Sequence, residues 1–150
     1  MFRNCTTLET IDVSGFDTSA VKSFSQMFWS CTALTDIVGL DTLNTTSATS
    51  FFRMFTSCQG ITAIDISSFD ASKVTDTGSM FSGCKVLTTI YAKAGTDWSS
   101  STTSMAGEGM FLGCTSLKGG ANTVYDSKNA NISYARIDGG TSAPGYFTEK

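Results

Sequence analysis

Five cysteines are the residues of this chain best suited to chemistry, and each stands three places after a Met-Phe pair: Met1-Phe2 before Cys5, Met27-Phe28 before Cys31, Met54-Phe55 before Cys58, Met80-Phe81 before Cys84, and Met110-Phe111 before Cys114. A thiolate can attack an electrophile, bind a soft metal or join a second thiol. Catalysis needs a base beside the thiol, and the chain has no histidine to supply the commonest one. A zinc site needs four ligands converging on one point. Ligands repeated once per copy are spread along a line instead. Five is odd, so at least one thiol stays unpaired in any redox state. Copies stacked at the strand spacing of about 5 Å bring equivalent α-carbons near disulfide range. Side chains pointing inward in parallel still miss the β-carbon approach of about 3.8 Å that a bridge prefers. The expected arrangement is therefore a structural ladder of buried free thiols, Cys5, Cys31, Cys58, Cys84 and Cys114, since unpaired cysteine behaves as a small hydrophobe.

A second periodic set is Asp17, Asn44 and Asp70, which could suggest calcium. Asn44 interrupts the carboxylates, the acids are too few, and side chains that bond their own backbone in turns explain the set more cheaply. No pair of acids, no nucleophile with its base and no glycine-rich phosphate loop occurs elsewhere. The expectation is a chain with no catalytic residue, no metal and no cofactor.

The elements that position these residues follow from the repeat. Copies start at 1, 27, 54, 80 and 110, with spacings of 26, 27, 26 and 30. Three residues after each cysteine stands an aliphatic, Leu8, Leu34, Ile61, Leu87 or Leu117, and three further on stand Ile11, Ile37, Ile64 and Ile90. Between the Met-Phe pairs lie "FDTSAV" (16–21), "LNTTSA" (43–48) and "FDASKV" (69–74). The 27-residue copy carries one residue inserted in "IVGLDTL", and the 30-residue copy is irregular around "AKAGTDWSSSTTSMAGEG". Alternation at Ile64 and Ile66 predicts a strand of about four to six residues. In "SAVKSFSQMFWSC" the apolar spacing of three and four predicts a helical turn or two, with Ser19 as its N-cap. Each Met-Phe pair then packs the core from the helical side, each residue contributing about 1.5–3 kcal/mol on burial. A single strand-turn-helix unit cannot bury its own apolar side, whereas stacked copies bury a continuous core. The fold class is therefore α/β: a solenoid of four to five coils, with short parallel strands on one face and short helices or turns on the other.

Composition removes several function classes. Of 150 residues, 41% are hydrophobic, enough for one folded domain, and the formal charge of -3 with scattered Lys and Arg offers no footprint for nucleic acid. No run approaches eighteen apolar residues and the N-terminus lacks a secretory pattern, so this segment is not expected to insert in a membrane.

The pattern Met-Phe-x-x-Cys-x-x-Leu-x-x-Ile followed by Phe-Asp-Thr-Ser-x-Val resembles the BspA-type leucine-rich repeats of bacterial surface proteins, in particular the 26-residue repeat of mycoplasma lipoproteins. The resemblance covers residues 1–118, and the tail "YDSKNANISYARIDGGTSAPGYFTEK" resembles the segment that closes such arrays. It implies a curved parallel-sheet solenoid on the bacterial exterior, cell-surface or secreted, associated with adhesion and with binding of host or other partners. It supplies no catalytic residue. The chain departs from the pattern at Val38-Gly39-Leu40 and in the long fourth copy.

Function then falls to positions the repeat leaves free. On the strands these are Thr10 and Asp12, Asp36 and Val38, Ala63 and Asp65, Thr89 and Tyr91, two columns on the exposed, concave side. One reading makes this face a binding surface for a protein or glycan partner, with Tyr91 its best anchor. Trp29 and Trp98 are weaker candidates. The alternative is a structural spacer or stalk within a larger surface or fibre protein, its strand face merely solvated. Residue 1 is already the repeat methionine, with no polar cap before it, so the chain is expected to be part of a longer one or to pair its first coil with something else. Residues 119–150 are expected to cover the last coil with Tyr134, Ile137, Tyr146 and Phe147.

Overall fold

A computed structural model describes residues 1–99 and 106–150. Each of the first four copies contributes one short parallel strand at its isoleucine: β1 Thr10–Asp12, β2 Asp36–Val38, β3 Ala63–Asp65 and β4 Thr89–Ala92. A fifth strand, β5 Phe147–Glu149, comes from the tail. The register repeats the copy spacing, Thr10 opposite Asp36 and Ala63 opposite Thr89. Strands pair as β1-β2 and, separately, as β3-β4-β5, all parallel. Ile37, Ile64 and Ile90 are buried while their strand neighbours face outward, as alternation requires.

On the opposite wall the expected turns form and the expected helical segments do not. Among the described residues there is no α-helix; consecutive turns run through each Met-Phe-x-x-Cys segment, with 3-10 turns elsewhere. Left-handed residues precede Met27, Met54, Met80 and Met110 and all five cysteines: Asn4, Gln26 and Ser30, Arg53 and Ser57, Ser79 and Gly83, Gly109 and Gly113. A left-handed residue ends any α-helix, because its N–H and C=O leave the helix axis. The backbone groups bond between copies instead. Phe28 N–H donates to Met54 O at 2.9 Å, Phe55 N–H to Met80 O at 2.9 Å and Phe81 N–H to Met110 O at 2.9 Å. Ser19 caps no helix; its N–H and hydroxyl both donate to Asp17.

The core is a column of phenylalanines. Phe28 and Phe55 stack at 5.6 Å, Phe55 and Phe81 at 5.7 Å, and Phe81 and Phe111 at 5.9 Å, with ring planes within 10°. The tail ends the column. Tyr146 meets Phe111 edge-on at 5.1 Å, Tyr134 lies 5.0 Å from Tyr146, and Phe147 joins the sheet beside β4. Ile137 packs half-buried against the same core. Trp98 is buried between Phe51 and Phe147. Part of the irregular fourth copy, 100–105, lies outside the described residues.

Candidate functional site

Copies two and three are neighbours on the turn wall, yet β2 and β3 do not pair. The inserted residue explains the break. In copies one and three the chain continues from the strand into a buried Val13 or Ile66. In copy two Gly39 comes first, at φ 76°, with its α-carbon so close to Ser14 that a β-carbon would stand 2.6 Å from it. Leu40 then turns into the core and opens a 3-10 turn, Leu40–Thr42. Val13 N–H donates to Val38 O at 2.9 Å and Ile66 N–H to Tyr91 O at 2.8 Å, but Leu40 N–H gives Asp65 no such bond.

The wall closes again on either side. Gly60 presses on the Leu34 carbonyl, where a β-carbon would stand 2.8 Å away, and Thr45 Oγ1 accepts from Asp70 N at 2.7 Å. Between these points lies an opening of about 280 Å3. Buried Ile37, Leu40, Ile61 and Ile64 form its floor. Asp36, Asp65, Tyr91 and Lys150 stand at its rim, with Tyr91 37% exposed. Most Cα–Cα separations between β2 and β3 exceed 8 Å, and no main-chain bond crosses from one strand to the other. Strand edges left in this way keep their hydrogen-bonding capacity for water or a partner.

Charge at the rim is partly paired. The Lys150 ammonium contacts the Asp65 carboxylate, while Lys150 N–H donates to Ala92 O at 3.0 Å and anchors the backbone beside β4. Burial works to raise the Asp65 pKa, but hydrogen bonds from Lys150 and Ser67 outweigh it and hold the carboxyl below its ordinary value. The Asp65 carboxylate in turn holds the Lys150 ammonium above the usual lysine value. Asp36 is exposed, and its carboxylate has no hydrogen-bond or ion-pair partner among the described residues.

Of the strand-face residues expected from sequence, the structure brings Asp36, Asp65 and Tyr91 together at this rim. Thr10 and Asp12 lie apart on β1, where Asp12 accepts from Ser14 N–H and hydroxyl. Val38 is 48% exposed on β2, and Thr89 is half-buried on β4. Ala63 lines the opening. Sequence reasoning missed Leu40 and Lys150. The inserted residue was a signal for the first; nothing local marks the second. Trp29 lies on the turn wall under Arg3, whose guanidinium is 4.0 Å from its ring.

The other two periodic sets are structural in their contacts. Asp17, Asn44 and Asp70 each accept the N–H two residues on, at 3.0, 3.1 and 2.8 Å. Asp97, a fourth member hidden by the irregular copy, does the same with Ser99 at 2.9 Å. All five cysteines are free. Cys31, Cys58, Cys84 and Cys114 are buried, and each thiol donates to the carbonyl of the phenylalanine one copy earlier, at 2.9, 3.2, 3.0 and 3.0 Å. Burial raises the pKa of all four, that of Cys114 to about 12. Cys5 departs from the uniform burial expected of the set: on the outer face of the first copy, it is only half-buried. A thiol reagent is expected to label Cys5 in the folded protein and all five cysteines after denaturation. Fast native labelling of Cys58 or Cys84 would contradict this.

Residues 1–129 match the family model described as "Mycoplasma protein of unknown function, DUF285". A search of the curated proteins and of the solved structures found no match.

Proposed function

The chain belongs to the DUF285 family of mycoplasma proteins, and from that premise we propose that it is a non-catalytic binding module of a bacterial surface or secreted protein, which engages a protein or glycan partner through its strand face. In this proposal the stacked copies are coils of a BspA-type leucine-rich-repeat solenoid. The observation that carries the reading is the opening between β2 and β3, where an apolar floor, an exposed aromatic and charged groups share one rim. Small-ligand sites combine an apolar concavity with a few polar groups in this way, and interface anchors are enriched in tyrosine. The repeat spends its identical residues on packing. Its strand face differs from copy to copy, Asp12, Val38, Asp65 and Tyr91 standing at one equivalent position, and such differences can distinguish partners.

The test is capture of a partner on immobilised protein, followed by affinity measurement with Tyr91→Ala and Asp65→Ala. Truncation of an anchor tyrosine is expected to weaken binding about tenfold or more. If a partner is found and neither change weakens it, the strand-face reading fails and a solvated spacer remains.

A further inference from the structure

We propose that the opening between β2 and β3 receives the side chain of a lysine or arginine presented by a protein partner, and that Lys150 of the chain itself competes for its mouth. This rests on the strand-face reading and names the partner's chemistry. The opening measures about 280 Å3, just below the range of sites for whole small molecules, and suits one long side chain. The two copies meet before the strands, at Gly60 against Leu34, and after them, at Thr45 against Asp70, so the gap between β2 and β3 is short and better matched to one side chain than to a length of extended chain.

The lining orders the chemistry from inside to outside. Ile37, Leu40, Ile61 and Ile64 offer an aliphatic floor and no side-chain hydrogen bond, which suits a methylene stem and not a sugar ring. Strand carbonyls without sheet partners and the carboxylates of Asp36 and Asp65 stand above it. Two carboxylates against one ammonium leave the side chains of the rim at a formal charge of -1. That charge favours a cation and disfavours an acidic group. Lys150 shows that the rim takes one: its ammonium rests on Asp65 while the Asp36 carboxylate remains without a partner among the described residues. A stem with a charged head that stays near water is the way lysine and arginine bury themselves.

The test titrates the protein with three capped pentapeptides, Gly-Gly-Lys-Gly-Gly and its norleucine and glutamate counterparts, at low salt, following the backbone amide resonances of Ile37, Ile64 and Asp65. Only the lysine peptide is expected to shift them. Lys150→Ala is expected to tighten that binding about two- to fivefold and Asp36→Asn to weaken it by a similar factor, the range for exposed ion pairs. Equal binding of the norleucine peptide, no shift with lysine peptide up to about 10 mM, or unchanged affinity in Lys150→Ala overturns the proposal. The strand-face reading would survive those results, because it fails only if neither Tyr91→Ala nor Asp65→Ala weakens binding of a captured partner.

Discussion

Replacing Phe55 with alanine is expected to cost about 3–5 kcal/mol of folding stability, the largest loss of any single truncation on the turn wall. Phe55 is fully buried at the middle of the aromatic column, in ring contact with Phe28 below and Phe81 above. Its deletion removes a large transfer contribution, leaves a void that neighbours held by inter-copy hydrogen bonds cannot fill, and forfeits two aromatic pairs of about 0.5–1.5 kcal/mol each. The bonds from Phe55 N–H to Met80 O and from the Cys84 thiol to Phe55 O use only the main chain of Phe55 and survive the substitution, so the defect is one of packing. Phe2→Ala is the control. Phe2 is half-buried on the outer face and stacks on Phe28 at 5.8 Å, so its loss should cost about 1–2 kcal/mol. Chemical denaturation of the two variants decides it; a Phe55→Ala cost no greater than that of Phe2→Ala would refute the column as the main support of the stack.

That column was legible in the sequence because one Met-Phe pair per copy can only be a packing layer if copies stack, and the 26-residue spacing became the strand register of β1-β2 and β3-β4. The backbone on that wall was not legible. Apolar residues three and four apart suit a helix, and the same spacing arises from two turns closed by left-handed residues. Glycine marks those turns at Gly83, Gly109 and Gly113, whereas Gln26, Ser30, Arg53 and Ser57 adopt the same region without a glycine to signal it. They are held there by bonds to the next copy, such as Ser30 N–H to Thr56 O at 2.8 Å. Such long-range terms override local preference.

The candidate site was half legible. The extra residue in "IVGLDTL" marked the place, and the exposed strand positions supplied Asp36, Asp65 and Tyr91. Whether an inserted residue loops outward or parts the wall depends on tertiary contacts. Here Leu40 gains the core only if Gly39 folds against Ser14, and that route takes the chain away from β3. Lys150 reaches the rim because β5 lies beside β4, a pairing of residues far apart in sequence with no shared motif.

Asp138→Ala is expected to destabilise the tail by about 2–4 kcal/mol, the second large effect. Asp138 is only 7% exposed and stands in the "RIDGG" stretch, with nothing in its spacing to mark it. Its carboxylate accepts from Ala121 N–H, Thr123 N–H, the Thr123 hydroxyl and Gly140 N–H at 2.6–2.9 Å, tying the start of the tail to the turn before β5. Alanine leaves those donors without their acceptor, and the turn that delivers Tyr146 and Phe147 onto Phe111 loses its anchor. Burial works to raise the Asp138 pKa, but the Thr123 hydroxyl and the backbone donors outweigh it and hold the carboxyl below its ordinary value of 3.8. A carboxyl depressed in the folded state contributes stability that is fully present above the unfolded value and is lost as pH falls through the folded one. The wild-type protein should therefore lose thermal stability progressively below about pH 4. Asp138→Asn keeps the shape and one acceptor oxygen but cannot titrate there, so its stability should start lower at pH 7 and fall less steeply in acid. Parallel pH profiles for the two proteins would show that the acid sensitivity resides in other carboxylates, and that Asp138 anchors the tail without being its titrating group.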